Sequence, residues 1–265
     1  MNVNFYLLIT EAQARGESVA LCTITEAHGS TPRHTGSKML VYEDGHFVGT
    51  IGGGELEHRV LDEAWIAMST GKPTKLHYSM TDPARGDPGV CGGQVEVFVE
   101  PILPKEKIVI IGGGHVGQAV AHLAKWLGYA VAISDDRTEF CTPETNPDAD
   151  EFYPVPMENL PGLLPLNRQT SLILTTRGSS VDVLGLPALL QSKAGYIGVI
   201  GSRRRWATTV SGLKEKGLSE AEIARIHSPM GLELNAETPE EIAVSILAEL
   251  LMLKHGSNGK PMTEK

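Results

Sequence analysis

Helical and strand periodicities alternate along this chain. Phe5, Leu8, Ile9 and Ala12 fall on one helical face that stops at Gly16, and Ser18 to Thr25, containing VALCTIT, is an apolar run of buried-strand length. Lys38 to Tyr42 and Phe47-Val48 flank Asp44-Gly45, a hairpin signal. Leu56, Val60, Leu61, Ala64 and Met68 predict a helix from Glu55 to a stop at Gly71. Strands are expected at Lys75 to Met80 and at Gln94 to Glu100, which alternates as QVEVFVE. Pro101 to Glu106 reads as a proline-flanked link, so the expected domains are 1–104 and 105–255, with a disordered tail over 256–265.

Beyond the link, buried strands are each followed by a helix. Ile108 to Ile111 enters Gly112, and Val116, Val120, Leu123 and Leu127 give the next helix; Ala130 to Ser134 is a second strand. Phe152-Tyr153 reads as a short strand, Ser171 to Thr176 as a buried one, and Leu184, Leu186, Leu189 and Leu190 as the helix after it. Tyr196 to Gly201 is a further strand, Ser219 to Ile226 a short helix, and residues 227–232 a turn. Thr238-Pro239-Glu240-Glu241 is a capping box with proline at the first helical position, opening an amphipathic helix through Leu253. The predicted class is α/β: a parallel sheet covered on both faces, joined to a separate amino-terminal α+β domain, with the ligand site expected in the cleft between them.

The turn Gly112-Gly113-Gly114-His115-Val116-Gly117 carries the most specific chemistry. Gly112 permits the reversal, Gly114 admits a pyrophosphate to the backbone, and Gly117 lets the helix pack on its strand, while the helix amino terminus faces the phosphates. Asp135, about 20 residues beyond the glycines, stands where a carboxylate accepts from ribose hydroxyls, and Arg137 follows it. A nucleotide-like ligand is expected; the alternative is a turn kept for packing. His115 either donates to a ligand phosphate or caps the helix. Ser202 and Arg203, directly after a strand, are candidates for an anion, while the rest of the arginine run reads as a solvated face. The loops at 112–117, 135–137, 176–182 and 201–205 all belong to the carboxyl edge of the sheet.

In the first domain, Ser30, Thr31 and Arg33 either grip a phosphate or carboxylate or form a plain connector. Gly52, Gly53 and Gly54 imply close approach to the backbone at a second helix start. Glu55 and Glu57 read as dipole-favouring residues of that first turn. Cys91, in a loop with Gly89, Gly92 and Gly93, is a candidate nucleophile, sulfur carrier or soft-metal ligand, or else a small residue in a turn.

With 23 basic against 32 acidic residues the net charge is −9, which argues against nucleic acid or an anionic membrane surface as partner. No apolar run of spanning length and no signal-peptide pattern occurs, so a cytoplasmic location is expected. Three cysteines without paired spacing predict reduced thiols, and nine histidines without HExxH or a paired spacing predict no metal site. The large apolar complement suggests at least a homodimer.

Taken in order, GSTPRHTGSKML, GTIGGGELE, CGGQVEVFVE, IGGGHVGQAVAHLAKWLGYAVAISDDR, GYIGVIGSRRRWA and SPMGLELNAETPEEIAVSILAELL resemble the XdhC/CoxI family, accessory proteins of xanthine dehydrogenase and related molybdenum hydroxylases. The resemblance implies a Rossmann-like carboxy-terminal domain. It further implies binding of the molybdopterin form of the molybdenum cofactor, support of its sulfuration with a cysteine desulfurase as donor, and delivery to the apo-hydroxylase. On this reading the glycine turn, Ser202 and Arg203 hold the anionic tail, and Ser30, Arg33, Gly52 to Gly54 and Cys91 face the metal-dithiolene end. The chain departs from many members in carrying Gly113 in place of Ala, and Gly178-Ser179-Ser180 before Asp182 where a histidine is common. The glycine turn with Asp135 also fits an NAD(P)-dependent oxidoreductase, for which the sequence offers no defensible proton donor.

Overall fold

The computed structural model describes residues 3–80 and 92–264. Cys91 lies outside the described residues. The chain divides into two compact units, Met1–Pro104 and Lys105–Lys265.

Unit 1 contains α1 (Phe5–Ala14), β1 (Val19–His28), β2 (Lys38–Tyr42), β3 (Phe47–Gly49), α2 (Gly54–Thr70), β4 (Thr74–Ser79) and β5 (Gln94–Ile102). The strands form an antiparallel sheet in the order β3-β2-β1-β5-β4. The continuous apolar run of β1 follows from burial on both faces. Val19 and Leu21 pack with Ala12, Leu40 and the α1 side chains, and Ala20, Cys22 and Ile24 pack with Leu56, Val60 and Ala64 of α2. Two boundaries differ from expectation. A register shift between Ile24 and Glu26 lets β1 keep pairing with β5 as far as His28. Pro101 and Ile102 belong to β5 and not to a link: Pro101 lies opposite Ala20, while β4 stops pairing at Thr74 opposite Val99, so proline's missing N–H falls where no neighbour needs it.

Unit 2 contains β6 (Lys107–Ile111), α3 (His115–Trp126), β7 (Ala130–Ser134), β8 (Glu151–Tyr153), β9 (Thr170–Leu174), α4 (Ser179–Leu190), β10 (Tyr196–Val199), α5 (Arg203–Glu215), α6 (Glu220–Ile223), β11 (Ile226–His227) and α7 (Pro239–Lys254). All six strands are parallel, in the order β11-β10-β9-β6-β7-β8. The first strand of the unit, β6, therefore lies between the second and the fourth, which is the switch point where doubly wound sheets bind ligands. Side chains alternate across the sheet: Ile108, Ile110, Val131 and Ile133 pack with α3 and α7, and Val109, Ile111, Leu172 and Leu174 with α4 and α5. The expected turn at 227–232 begins one residue late, because Ile226 and His227 add to the sheet beside β10. The expected helix from Ser219 shrinks to Glu220–Ile223, and the tail ends in a single 3-10 turn, Met262–Glu264. No helix among the described residues is long and apolar enough to cross a membrane.

Candidate functional site

The glycine turn at the end of β6 is held from below by backbone and by one carboxylate. Gly112 has φ +115 and donates to the Ser134 carbonyl at 2.8 Å, and Thr175 Oγ1 donates to the Gly112 carbonyl at 2.7 Å. Gly113 donates to Asp135 Oδ2 at 3.0 Å. A Cβ on Gly117 would stand 2.1 Å from the Gly112 oxygen, so α3 packs on the turn only because that position has no side chain. Gly113 is as tightly confined, 1.9 Å from the Phe140 oxygen by the same construction. An alanine at this position would need the Phe140 segment to sit elsewhere.

Gly114 differs from both: it has φ −76, and among the described residues none beyond its own chain neighbours comes within 4 Å of where its Cβ would be. The N-cap of α3 makes no side-chain hydrogen bond, so the first amides of the helix are open to a ligand.

A cleft of about 310 Å³ opens beside this turn at the carboxyl ends of β6, β7 and β9. It brings together Gly112, Asp135 and Arg137 with Asp136, Thr176 and Arg177, against an apolar wall that includes Val155, Met157 and Leu184. Asp135 is turned inward. Its carboxylate accepts from the Gly113 and Arg137 amides at 3.0 Å each and from Arg137 Nε and Nη2 at 3.0 and 2.8 Å, so both oxygens are engaged within the protein. The bond to Asp135 raises the Arg137 guanidinium pKa, and the guanidinium stacks 4.0 Å from the Phe140 ring centroid. Asp136 is paired across the cleft with Arg177, at 2.6 and 2.8 Å in a bidentate arrangement that lowers its carboxyl to about 2.

The other candidates of this unit lie elsewhere. His115 is exposed at the first position of α3 and lines a groove with Gln118, His122, Pro239 and Val244, between α3 and α7. Ser202 caps α5 by accepting from the Arg205 amide at 3.2 Å, and Arg203 is exposed; neither lines the cleft.

Arg205, assigned by the sequence to a solvated face, is the arginine of that run that turns inward. It donates to the Thr176 carbonyl at 3.0 Å, to Thr176 Oγ1 at 2.6 Å and to Asp182 Oδ2 at 2.7 Å, and Thr176 in turn donates to Asp182 Oδ1. Asp182 is fully buried. One guanidinium thus ties the end of β9 to the first turns of α4 and α5. The legible signal was Asp182 itself, the one charged residue of an otherwise apolar helix, SSVDVLGLPALL, which demands a buried cation.

In unit 1 the motif glycines lie against one another's loops. A Cβ on Gly93 would be 2.2 Å from the Ser30 oxygen, one on Gly29 would be 3.2 Å from Gly93 Cα, and one on Gly52 would be 2.7 Å from Pro32 Cγ. Ser30 and Arg33 are exposed there. Glu57 has a more definite role than dipole matching. It accepts from Thr50 Oγ1 at 2.5 Å and from the Ile51 amide at 3.0 Å. Burial raises its pKa, but these bonds and those from the Gly52 and Gly53 amides outweigh burial and leave it lowered. Cys22 is buried in β1, where desolvation pushes its thiol up to about 12. Among the described residues no group of three His, Cys, Asp or Glu side chains could hold a metal ion.

Comparison with known proteins places this architecture. Residues 108–250 match the XdhC Rossmann domain, and residues 12–79 match the XdhC and CoxI family. An uncharacterized Escherichia coli (strain K12) protein, YqeB, is 34% identical over 263 residues, covering 97% of this chain and 47% of its own length. A probable xanthine dehydrogenase subunit from Bacillus subtilis (strain 168) is 28% identical over 158 residues, 60% of this chain and 46% of the relative. This chain therefore spans about half the length of these two relatives. The molybdenum cofactor insertion chaperone PaoD of Escherichia coli (strain K12) is 23% identical over 92% of this chain and 86% of its own length. A crystal structure from Bacillus halodurans, described as a xanthine dehydrogenase, shares the fold with a TM-score of 0.50 at 23% identity, over 95% of this chain and 96% of that one. With both units matched and their motifs in order, the chain belongs to the XdhC and CoxI family.

Proposed function

We propose that this protein binds the molybdenum cofactor during maturation of a xanthine dehydrogenase-type molybdenum hydroxylase, supports its sulfuration and passes it to the apoenzyme. Membership of the family and the name of the relative PaoD support the cofactor class. The observation that carries the reading on this chain is the open space over Gly114, a cradle that a Cβ would fill, at an uncapped helix start and beside a cleft of about 310 Å³. These residues fit the anionic tail of a molybdopterin, whether a phosphate or a dinucleotide. The amides at the start of α3 would hold it, with Gly112 and Gly117 keeping the turn tight beneath. When bound, the cofactor supplies the molybdenum-centred redox chemistry of the client enzyme; this chain's residues bind, orient and shield it.

In unit 1, Ser30, Arg33 and the loop of Gly52 to Gly54 would be that unit's own candidate cofactor contacts. Cys91, just before the Gly92-Gly93 pair that abuts the Ser30 loop, would carry sulfur or contact the metal. A cysteine desulfurase would be the sulfur donor, and the protein would act as a homodimer.

The alternative, an NAD(P)-dependent oxidoreductase, uses the same turn. Asp135 stands against it, because both oxygens that would accept from a ribose are engaged with Gly113 and Arg137. Among the described residues, the cleft is also lined by no histidine, tyrosine or lysine to transfer a proton.

The test is separate titration of the purified chain with molybdopterin, NAD and NADP, together with activation of an apo-hydroxylase by the parent and Cys91→Ser proteins. Pterin binding and loss of activation in Cys91→Ser are expected. Tight dinucleotide binding with steady turnover of an alcohol or ketone, and no pterin affinity, overturns the proposal. Light scattering checks the dimer, and a monomer at micromolar concentration removes it.

A further inference from the structure

Two arginine-aspartate pairs line the cleft, and they are built differently. Asp135 and Arg137 are two residues apart, and the Asp135 side chain is 2% exposed and also bonded to the glycine turn. Asp136 and Arg177 are separated by 41 residues and are 37% and 48% exposed. Asp136 follows β7 and Arg177 follows β9, the two neighbours of β6, so this pair bridges the carboxyl ends on either side of the strand that delivers Gly112. Among the described residues Arg177 donates to no acceptor other than Asp136. Two of its five N–H groups are thereby used, and the remainder are free in the cleft.

An exposed ion pair of this kind contributes little to folding. Its guanidinium is, however, presented in the fork geometry that a phosphate accepts bidentately and with more charge than a carboxylate. We propose that Arg177 is the anion clamp of the glycine-turn cleft and that Asp136 is its internal competitor, a counter-charge that the phosphate of a nucleotide-like ligand displaces. The inference rests on the reading of this cleft as the site of an anionic, nucleotide-like tail. Arg137 does not take the part, since releasing it would strip the buried Asp135 carboxylate of its cation, whereas the more exposed Asp136 returns to water when it is released. With the Asp136 carboxyl lowered to about 2, the pair stays charged throughout the neutral range and is released by exchange of partners, not by protonation.

The competitor makes an unusual demand on mutants: removing the two members of one ion pair should change affinity in opposite directions. The full chain would be titrated calorimetrically at low salt with ADP, CDP and GDP separately, and with pyrophosphate as a base-free probe. Asp136→Asn is expected to tighten binding by about three- to fivefold, the worth of an exposed pair. Arg177→Ala should weaken it by about tenfold or more, through loss of a charge-assisted bond. Asp136→Ser, with an unchanged thermal unfolding midpoint, guards against an effect peculiar to asparagine. If the parent binds a probe and both substitutions weaken it alike, or Asp136→Asn and Asp136→Ser leave it unchanged, the pair is a strut and this inference fails while the cleft reading stands. If no probe binds the parent or the two Asp136 variants, the cleft reading fails and the clamp with it.

Discussion

Each unit places three consecutive glycines at a helix start, Gly52 to Gly54 running into the first residue of α2 and Gly112 to Gly114 ending at the N-cap of α3. In unit 1 the residues have φ of +142, +79 and +62, and among the described residues none beyond the chain neighbours comes within 4 Å of a Cβ built at Gly53 or Gly54. Conformation, not space, calls for glycine at those two positions. Glu57 then reaches back from the helix and gathers the Thr50 hydroxyl and the Ile51 amide, filling from within the anion nest that such a loop creates. In unit 2, Gly113 and Gly117 are glycines for want of room, and Gly114 has neither a positive φ nor, among the described residues, a close neighbour at its Cβ position. Its carboxylate, Asp135, takes the Gly113 amide and leaves the helix start free. Identical letters therefore mark a loop whose amides are gathered by its own glutamate and a loop whose helix start no side chain among the described residues caps.

Single added methyl groups separate the two cases. Gly113→Ala should have the largest effect, a loss of about 3 kcal/mol measured by denaturant unfolding, because the obstacle is the Phe140 carbonyl and not a flexible side chain. Little loss there would mean that the segment at 138–146 yields easily. Gly53→Ala should cost about 2 kcal/mol, entirely from backbone strain at φ 79, ψ 176, and an unchanged midpoint would refute the conformational account.

Next in size, Glu57→Gln should cost about 1 kcal/mol at pH 7, the worth of a hydrogen bond strengthened by charge. Because the folded-state pKa of Glu57 lies below the ordinary glutamate value of 4.5, its contribution is fully present above that value and fades as pH falls through the folded pKa. The gap between parent and Glu57→Gln should accordingly narrow in acid, and a gap that widens would reverse the sign of the argument. The smallest change in stability, about 0.5 kcal/mol or less, is expected for Gly114→Ala, since its methyl enters open space. That same variant should lose about tenfold or more in cofactor affinity by titration, as a methyl there blocks approach to the backbone. Unimpaired binding would return Gly114 to the packing explanation.

The reach of the sequence follows the same division between local and distant causes. The strand, turn and helix of 107–126, the Asp44-Gly45 hairpin and the capping box at Thr238 are written in adjacent residues, and they stand where their signals put them. The parallel sheet was legible from buried apolar strands each followed by a helical pattern. What escaped was set by partners far along the chain. Arg205 looked like its neighbour Arg204, part of a solvated run, until Thr176 and Asp182 were placed beside it. Glu57 looked like a surface acid until the loop folded back over it. The two-residue β11 carries no periodicity at all and exists because β10 offers an edge. Asp135 was placed correctly at the end of β7, but the spacing could not say that Arg137 would occupy its oxygens.

The edges of the two sheets have a consequence for handling the protein. The parallel sheet ends in strands of two and three residues, β11 and β8, which leave few unpaired backbone groups for another chain to dock on. The antiparallel sheet ends in β3, also three residues long, and in β4, which has six. Of these four margins only β4 is long enough to template a foreign strand, and its exposed Lys75 and His77 are the kind of charged and polar residues that discourage such pairing. Strand-mediated aggregation during refolding or at high concentration should therefore begin at β4, and the charge of Lys75 is the first line of defence against it.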